Sequence, residues 1–164
     1  MRHGFLRICR WLDRLTTWIC ASACAVLTGA VLAIVILRFG FDSGFVKLQN
    51  LAGYSFAVLL ILSLPYCLRR GGHVRVEVLS ERLPAGYGRV ADWVALALFI
   101  VPVFGLLVWA WLPDLAYSWR IREGAIETGG LGGIFLIKSM LPLAGALMIL
   151  QGLAVLLDPR LTDQ

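Results

Sequence analysis

Two histidines, four cysteines and one isolated lysine are the residues of this 164-residue chain whose types could do chemistry. His3 and His73 could ligate haem. Axial ligation needs a facing pair inside a helical bundle, and both lie outside the apolar stretches of the chain. Cys9, Cys20, Cys24 and Cys67 could form a redox or metal pair. None makes a C-x-x-C motif, and Cys20 and Cys24, four apart, share one helix face, so small packing residues are expected. A disulfide-generating enzyme would need reactive cysteine pairs near the outer surface, and no such pair is present. No nucleophile and base are paired in the manner of a hydrolase, and His73, near Gly72 and Arg75, reads as a headgroup or backbone contact. Lys138 is the charge closest to an apolar run, and a long side chain at a span edge is expected to snorkel to the headgroups. The residues thus predict no enzyme, no metal site and no cofactor.

The elements that would have to position such residues are four stretches without a single charge: Leu15–Leu37, Leu48–Leu68, Trp93–Pro113 and Ser139–Leu157, of 23, 21, 21 and 19 residues. A helix rises about 1.5 Å per residue, so about 20 residues cross the hydrocarbon core. With 60% hydrophobic and 15% charged residues, the chain is predicted to be an all-α membrane protein with four transmembrane helices, at about 15–37, 48–68, 93–113 and 135–157. One four-helix domain then fills residues 1–164. An ion-coupled carrier needs charged or polar groups at membrane depth, where they are expensive to place. These stretches supply none, and Ser22, Thr28, Ser55 and Ser63 are too few to line a pore. A self-sufficient transporter or channel is therefore not expected.

The net charge of +5 could suggest nucleic acid. The basic residues flank the spans instead, where they set orientation, and no nucleic-acid partner is expected. Ten of the fifteen fall in the N-terminal tail, the loop between spans two and three, and the C-terminal tail; five fall in the other two loops. The positive-inside rule then predicts cytoplasmic N- and C-termini. Trp11, Trp18 and Trp93 would lie in the inner aromatic belt, and Trp109, Trp111 and Trp119 in the outer one. The first span is too long and lacks a small-residue cleavage pattern, so it reads as an anchor rather than a signal peptide.

Two short interfacial helices are expected. Phe5, Ile8, Leu12 and Leu15 recur at helical spacing opposite Arg7, Arg10 and Arg14, which predicts a surface helix over 3–14, before the chain turns into span one. Val76, Leu79 and Leu83 predict a second over 76–83, ended by Pro84 and Gly86. Gly129, Gly130, Gly132 and Gly133 break any regular element in the longest outer loop, residues 114–137, which is expected to be a mobile or partner-ordered turn. Packing remains as the chemistry of the spans. Ala21, Ala25, Gly29 and Ala33 recur every fourth residue, and Gly145 and Gly152 are seven apart. Small residues at such spacing let helices approach closely in lipid, either within the bundle or against a second membrane protein.

The central loop reads Arg70-Gly71-Gly72-His73-Val74-Arg75-Val76-Glu77, with Leu83-Pro84 after it. It resembles the small membrane subunit of tripartite ATP-independent periplasmic (TRAP) transporters, the DctQ-like small permease. That family carries Arg, Gly, then His-[Ile/Val]-Arg-[Val/Met]-Asp after span two, with Glu77 standing here in the place of the Asp. The run Gly129-Gly130-Leu131, then Leu136-Ile137-Lys138 and Leu141-Pro142-Leu143, is similar to the start of span four in one branch. Gln151-Gly152-Leu153 is similar to that branch's exit. The family often has acidic residues at the start of span two, where this chain has Lys47, Leu48, Gln49 and Asn50. The resemblance implies a non-catalytic scaffold subunit of a sodium-coupled organic-acid importer in the bacterial inner membrane. Its partners would be a large elevator-type permease subunit, which holds the substrate and sodium sites, a periplasmic solute-binding protein and membrane lipids. It implies a family-motif role for Arg70, Gly72, His73, Arg75 and Glu77, and the branch implies carboxylates beyond four-carbon diacids. The alternative is a structural or assembly subunit of another inner-membrane complex.

Overall fold

A computed structural model describes residues 2–69, 93–94 and 96–157. Four long helices dominate it: α1 (Arg2–Phe41), α2 (Val46–Arg69), α3 (Val101–Ile121) and α4 (Ile134–Leu157). Each is long and apolar enough to cross a membrane. Among the described residues there is no strand, only an isolated antiparallel bridge between Gly124 and Gly132. The helices pack in the order α1, α2, α4, α3, so that α4 sits between its partners while α1 lies at one margin. The core is Leu62, Ala144 and Leu147, flanked by Leu12, Ile19 and Cys20 of α1 and by Val58, Ile61 and Met140. In lipid this packing is held by dispersion and hydrogen bonds, because the tails are as apolar as leucine.

α1 departs from expectation. Residues 3–14 are helical, but no turn separates them from the span: one helix of 40 residues runs from Arg2 to Phe41. Its buried stripe explains the continuity. Cys9, Thr16 and Ala30 are buried seven or fourteen residues apart, and half-buried Ala23 and Leu37 complete the same seven-residue rhythm. A seam of that period keeps one face of the helix turned inward from Cys9 to Leu37. At about 60 Å, α1 is twice the ~30 Å of the hydrocarbon core, so it must tilt or overhang. It ends at Asp42, whose φ of 48° is left-handed.

The third span also differs from 93–113. It continues two turns past Pro113 to Ile121, and its first turn, Leu96–Ile100, is π-helical. Pro102, just after that turn, has no N–H to give the carbonyl four residues back, and a wide turn absorbs the mismatch. The second predicted surface helix, 76–83, lies outside the described residues.

Candidate functional site

The end of the bundle that carries residues 122–133 is a polar clasp. Arg122, with φ 48°, closes α3 in a Schellman turn, and the Glu123 N–H donates to the Ser118 carbonyl at 3.0 Å. The turn folds Glu123 back over the last helical turn. There its carboxylate accepts from the Ser118 hydroxyl and, at 2.8 Å, from Lys138 Nζ. Lys138 also pairs with Asp114 at 3.0 Å and donates to Ser118 Oγ. The hydrogen bonds from Lys138 and Ser118 hold the Glu123 carboxyl below the usual carboxylate range. Lys138 is therefore committed to two acids of its own chain rather than snorkelling to headgroups. Its side chain is 23% exposed, which fits a paired cation at the bundle edge.

Two tryptophans complete the clasp. Pro142 has no N–H for the carbonyl four residues before it, which is that of Lys138. Trp111 Nε1 donates to that same carbonyl at 3.2 Å and fills the vacancy from the neighbouring helix. Trp119 Nε1 donates to Ser139 Oγ at 3.0 Å, and its ring meets Phe135 edge-on with centroids 4.8 Å apart. These indoles do more than sit in an aromatic belt; they tie α3 to α4.

The glycine-rich loop is anchored from α2, contrary to the mobile or partner-ordered turn expected. Tyr54 Oη donates to the Leu131 carbonyl at 2.7 Å. With the Asn50 amide oriented to satisfy both neighbours, it donates to Glu127 at 3.0 Å and accepts from the Leu131 N–H at 3.1 Å. Inside the loop, the Gly130 N–H closes a turn on the Glu127 carbonyl, with Gly129 at φ +82°. A Cβ on Gly130 would overlap the Ala125 Cβ and lie 2.6 Å from the end of the Asn50 amide, so the loop's own turn and the approach of α2 together require glycine there. Ile126 is left at the tip, 96% exposed.

The two small-residue seams have opposite fates. A Cβ on Gly145 would meet Val108 at 2.8 Å, and one on Gly152 would meet Leu96 at 2.7 Å, so that seam receives α3 and its leading π turn. The other seam is largely uncovered by the described residues. Ala21, Ala25 and Gly29 are exposed, Ala33 is half-buried, and a Cβ on Gly29 would find no atom within 4 Å. At 100° per residue the stripe lies roughly 140° around α1 from the face that Ala23, Leu27 and Ala30 turn to α2.

The remaining sequence candidates scatter. None of the four cysteines forms a disulfide: Cys9 is buried, Cys20 half-buried, and Cys24 and Cys67 exposed, so the expectation of buried packing residues holds for the first pair only. Among the described residues no group of histidine, cysteine, aspartate and glutamate side chains could hold a metal. Arg70, Gly72, His73, Arg75 and Glu77 lie outside the described residues, as does His3's side chain. Gln151 is 1% exposed, and neither of its amide atoms has a hydrogen-bond partner among the described residues. Of the clasp residues, Asp114, Ser118 and Glu123 were not singled out from sequence, and Trp111 was read only as part of an aromatic belt. Their signal was the lone lysine at the start of span four facing two acids of the preceding loop.

The family described as the DctQ component of tripartite ATP-independent periplasmic transporters matches residues 27–161, most of the chain. A protein of Haemophilus influenzae named "Putative TRAP transporter small permease protein" is 22% identical over 105 residues, covering 64% of this chain. The match spans 65% of that relative's own length, just under two thirds. No solved structure matches. A family match over four membrane-spanning helices places the chain among transport components rather than enzymes, and in the inner membrane as a multi-pass protein. The chain belongs to the DctQ family of TRAP transporters, the family of the small permease subunit.

Proposed function

We propose that this small subunit is a scaffold that braces a large elevator-type permease and carries neither ion nor solute itself. The observation that carries the reading is the exposed stripe Ala21, Ala25 and Gly29, a close-approach surface that no part of the described chain covers. It is joined by the placement of charge: the ionisable cluster near the spans is spent inside the clasp at one end, not aimed into a mid-depth cavity. In this reading the large subunit holds the sodium and organic-acid sites and docks on α1, and a periplasmic binding protein delivers the solute. The excess of arginine at the opposite end from the clasp puts both termini in the cytoplasm and the clasp outside. Arg70, Gly72, His73, Arg75 and Glu77 would then face the cytoplasmic headgroups. Family membership sets aside the rival of a subunit for a respiratory or secretion assembly.

The test is co-purification with the large subunit in mild detergent, read alongside uptake. Gly29→Leu should cut the recovered complex several-fold while the small subunit itself remains folded. Full recovery of the complex with Gly29→Leu would remove the seam from the interface. Solute uptake that survives deletion of this chain would overturn the scaffold role. Uptake of labelled mono- and dicarboxylates with and without a sodium gradient decides the coupling ion and substrate class.

A further inference from the structure

α1 and α4 pack together only near the core cluster, and where they part an apolar groove opens between α1, α2 and the last turn of the outer loop. Its mid-depth section, about 360 Å³, lies between Ile19 and Val26 of α1 and Val58 of α2. The next section, about 390 Å³, shares Leu51 and Leu131 with it and runs up to Leu37 and Lys47. Tyr54 lines the lower section, but its hydroxyl is committed to the Leu131 carbonyl. Lys47 stands exposed at the upper mouth and forms no ion pair among the described residues. Arg38, also exposed, lines the adjoining depression together with Asp42, so the mouth carries a net positive charge.

The geometry points to a bound anionic phospholipid, one acyl chain lying in the groove and its phosphate against Lys47. The lining suits an acyl chain: the two sections run about 27 Å along α1 between Ile19 and Leu37, walled almost wholly by apolar side chains and ending at a cation. The depth suits it as well, because the groove ends where an unpaired cation would meet a headgroup. A juxtamembrane basic residue contributes about 1 kcal/mol to anionic-lipid attraction. The groove adjoins the seam of Ala25 and Gly29 on α1 but is lined by Ile19, Ala23 and Val26 rather than by the seam residues themselves.

Native mass spectrometry of the full chain, released from nanodiscs of equal phosphatidylglycerol and phosphatidylcholine, tests this. The expected result is one retained lipid, preferentially phosphatidylglycerol. Lys47→Gln should lower that preference about five-fold, the equivalent of ~1 kcal/mol. Val26→Phe, which fills the lower section from a side chain exposed at its rim, should abolish retention of both lipids at an unchanged melting temperature. Retention without headgroup preference, or retention indifferent to both variants, would mean bulk lipid only and overturn the proposal. So would efficient cross-linking of Ala23→Cys to the large subunit in the assembled transporter, which would give the groove to a partner's helix.

Discussion

α4 and α1 carry the same kind of signal, small residues at helical spacing, and the bundle uses them in opposite ways. Gly145 and Gly152 admit Val108 and Leu96 to within the reach of a missing methyl group. A Cβ on Gly29 would meet nothing within 4 Å among the described residues. The difference comes from position in the packing order. α4 has a neighbour on either side, so its small residues are consumed by α3. α1 is marginal, binds α2 through a separate seven-residue stripe, and leaves its second small face free. A small-residue seam therefore marks a place where backbones can approach, and topology decides whose backbone it is.

Leucine substitutions break this comparison most sharply. Gly145→Leu and Gly152→Leu must push aside side chains already at 2.8 and 2.7 Å from a single added carbon. Overpacking of this kind costs about 1–3 kcal/mol. Steric-trap unfolding in bicelles should show that loss for both. Gly29→Leu should change the stability of the isolated chain by less than about 0.5 kcal/mol. Equal destabilisation by all three variants would mean that α1's seam is internal after all.

The clasp sharpens the contrast at the next level. Trp111 and Trp109 lie two residues apart on α3, but Trp111 serves the carbonyl that Pro142 leaves open, whereas Trp109 is 70% exposed. Trp111→Phe should cost roughly 1–2 kcal/mol, one lost hydrogen bond plus a stranded carbonyl. Trp109→Phe should cost almost nothing in the same assay. If Pro142→Ala rescues Trp111→Phe by restoring the helical donor, the repair is confirmed as the indole's role. On α2, Tyr54→Phe removes one loop anchor for about 0.5–1.5 kcal/mol, seen as faster amide exchange at Leu131.

Much of this layout was legible in the chain. Absence of charge located four crossings, and both seams were visible as spacing. Their partners were not, because spacing describes one helix and contact depends on two. The clasp was hidden by a boundary. Pro113 read as the end of span three, which put Asp114 and Glu123 in a loop and left Lys138 alone. In lipid a proline need not end a helix, because a neighbour can satisfy the freed carbonyl. Once α3 continues to Ile121, Asp114 and Ser118 fall on the turns beside α4, and the lysine has partners. The surface helix expected over 3–14 failed for a related reason. Cys9 and Thr16 are buried within the continuous helix, and burial on that face outweighs the amphipathic pattern of the arginines.

The smallest expected effect is one of pH, and it separates the two ends of the comparison without mutation. Glu123 has its folded carboxyl held below its unfolded value, chiefly by the Lys138 hydrogen bond and then by Ser118. A lowered carboxylate stabilises the folded form fully above the unfolded value, about 4.3, and that contribution fades as pH falls through the folded value. Protonation removes one acceptor from Lys138, so the loop that Glu123 closes should loosen. Amide exchange at Glu123 and Ala125 should therefore accelerate below about pH 4, while the Gly145 and Gly152 contacts, which contain no titrating group, stay protected. Glu123→Gln should remove the pH step and leave the exchange rate at its fast limit throughout. A pH step that persists in Glu123→Gln would take the titration away from Glu123.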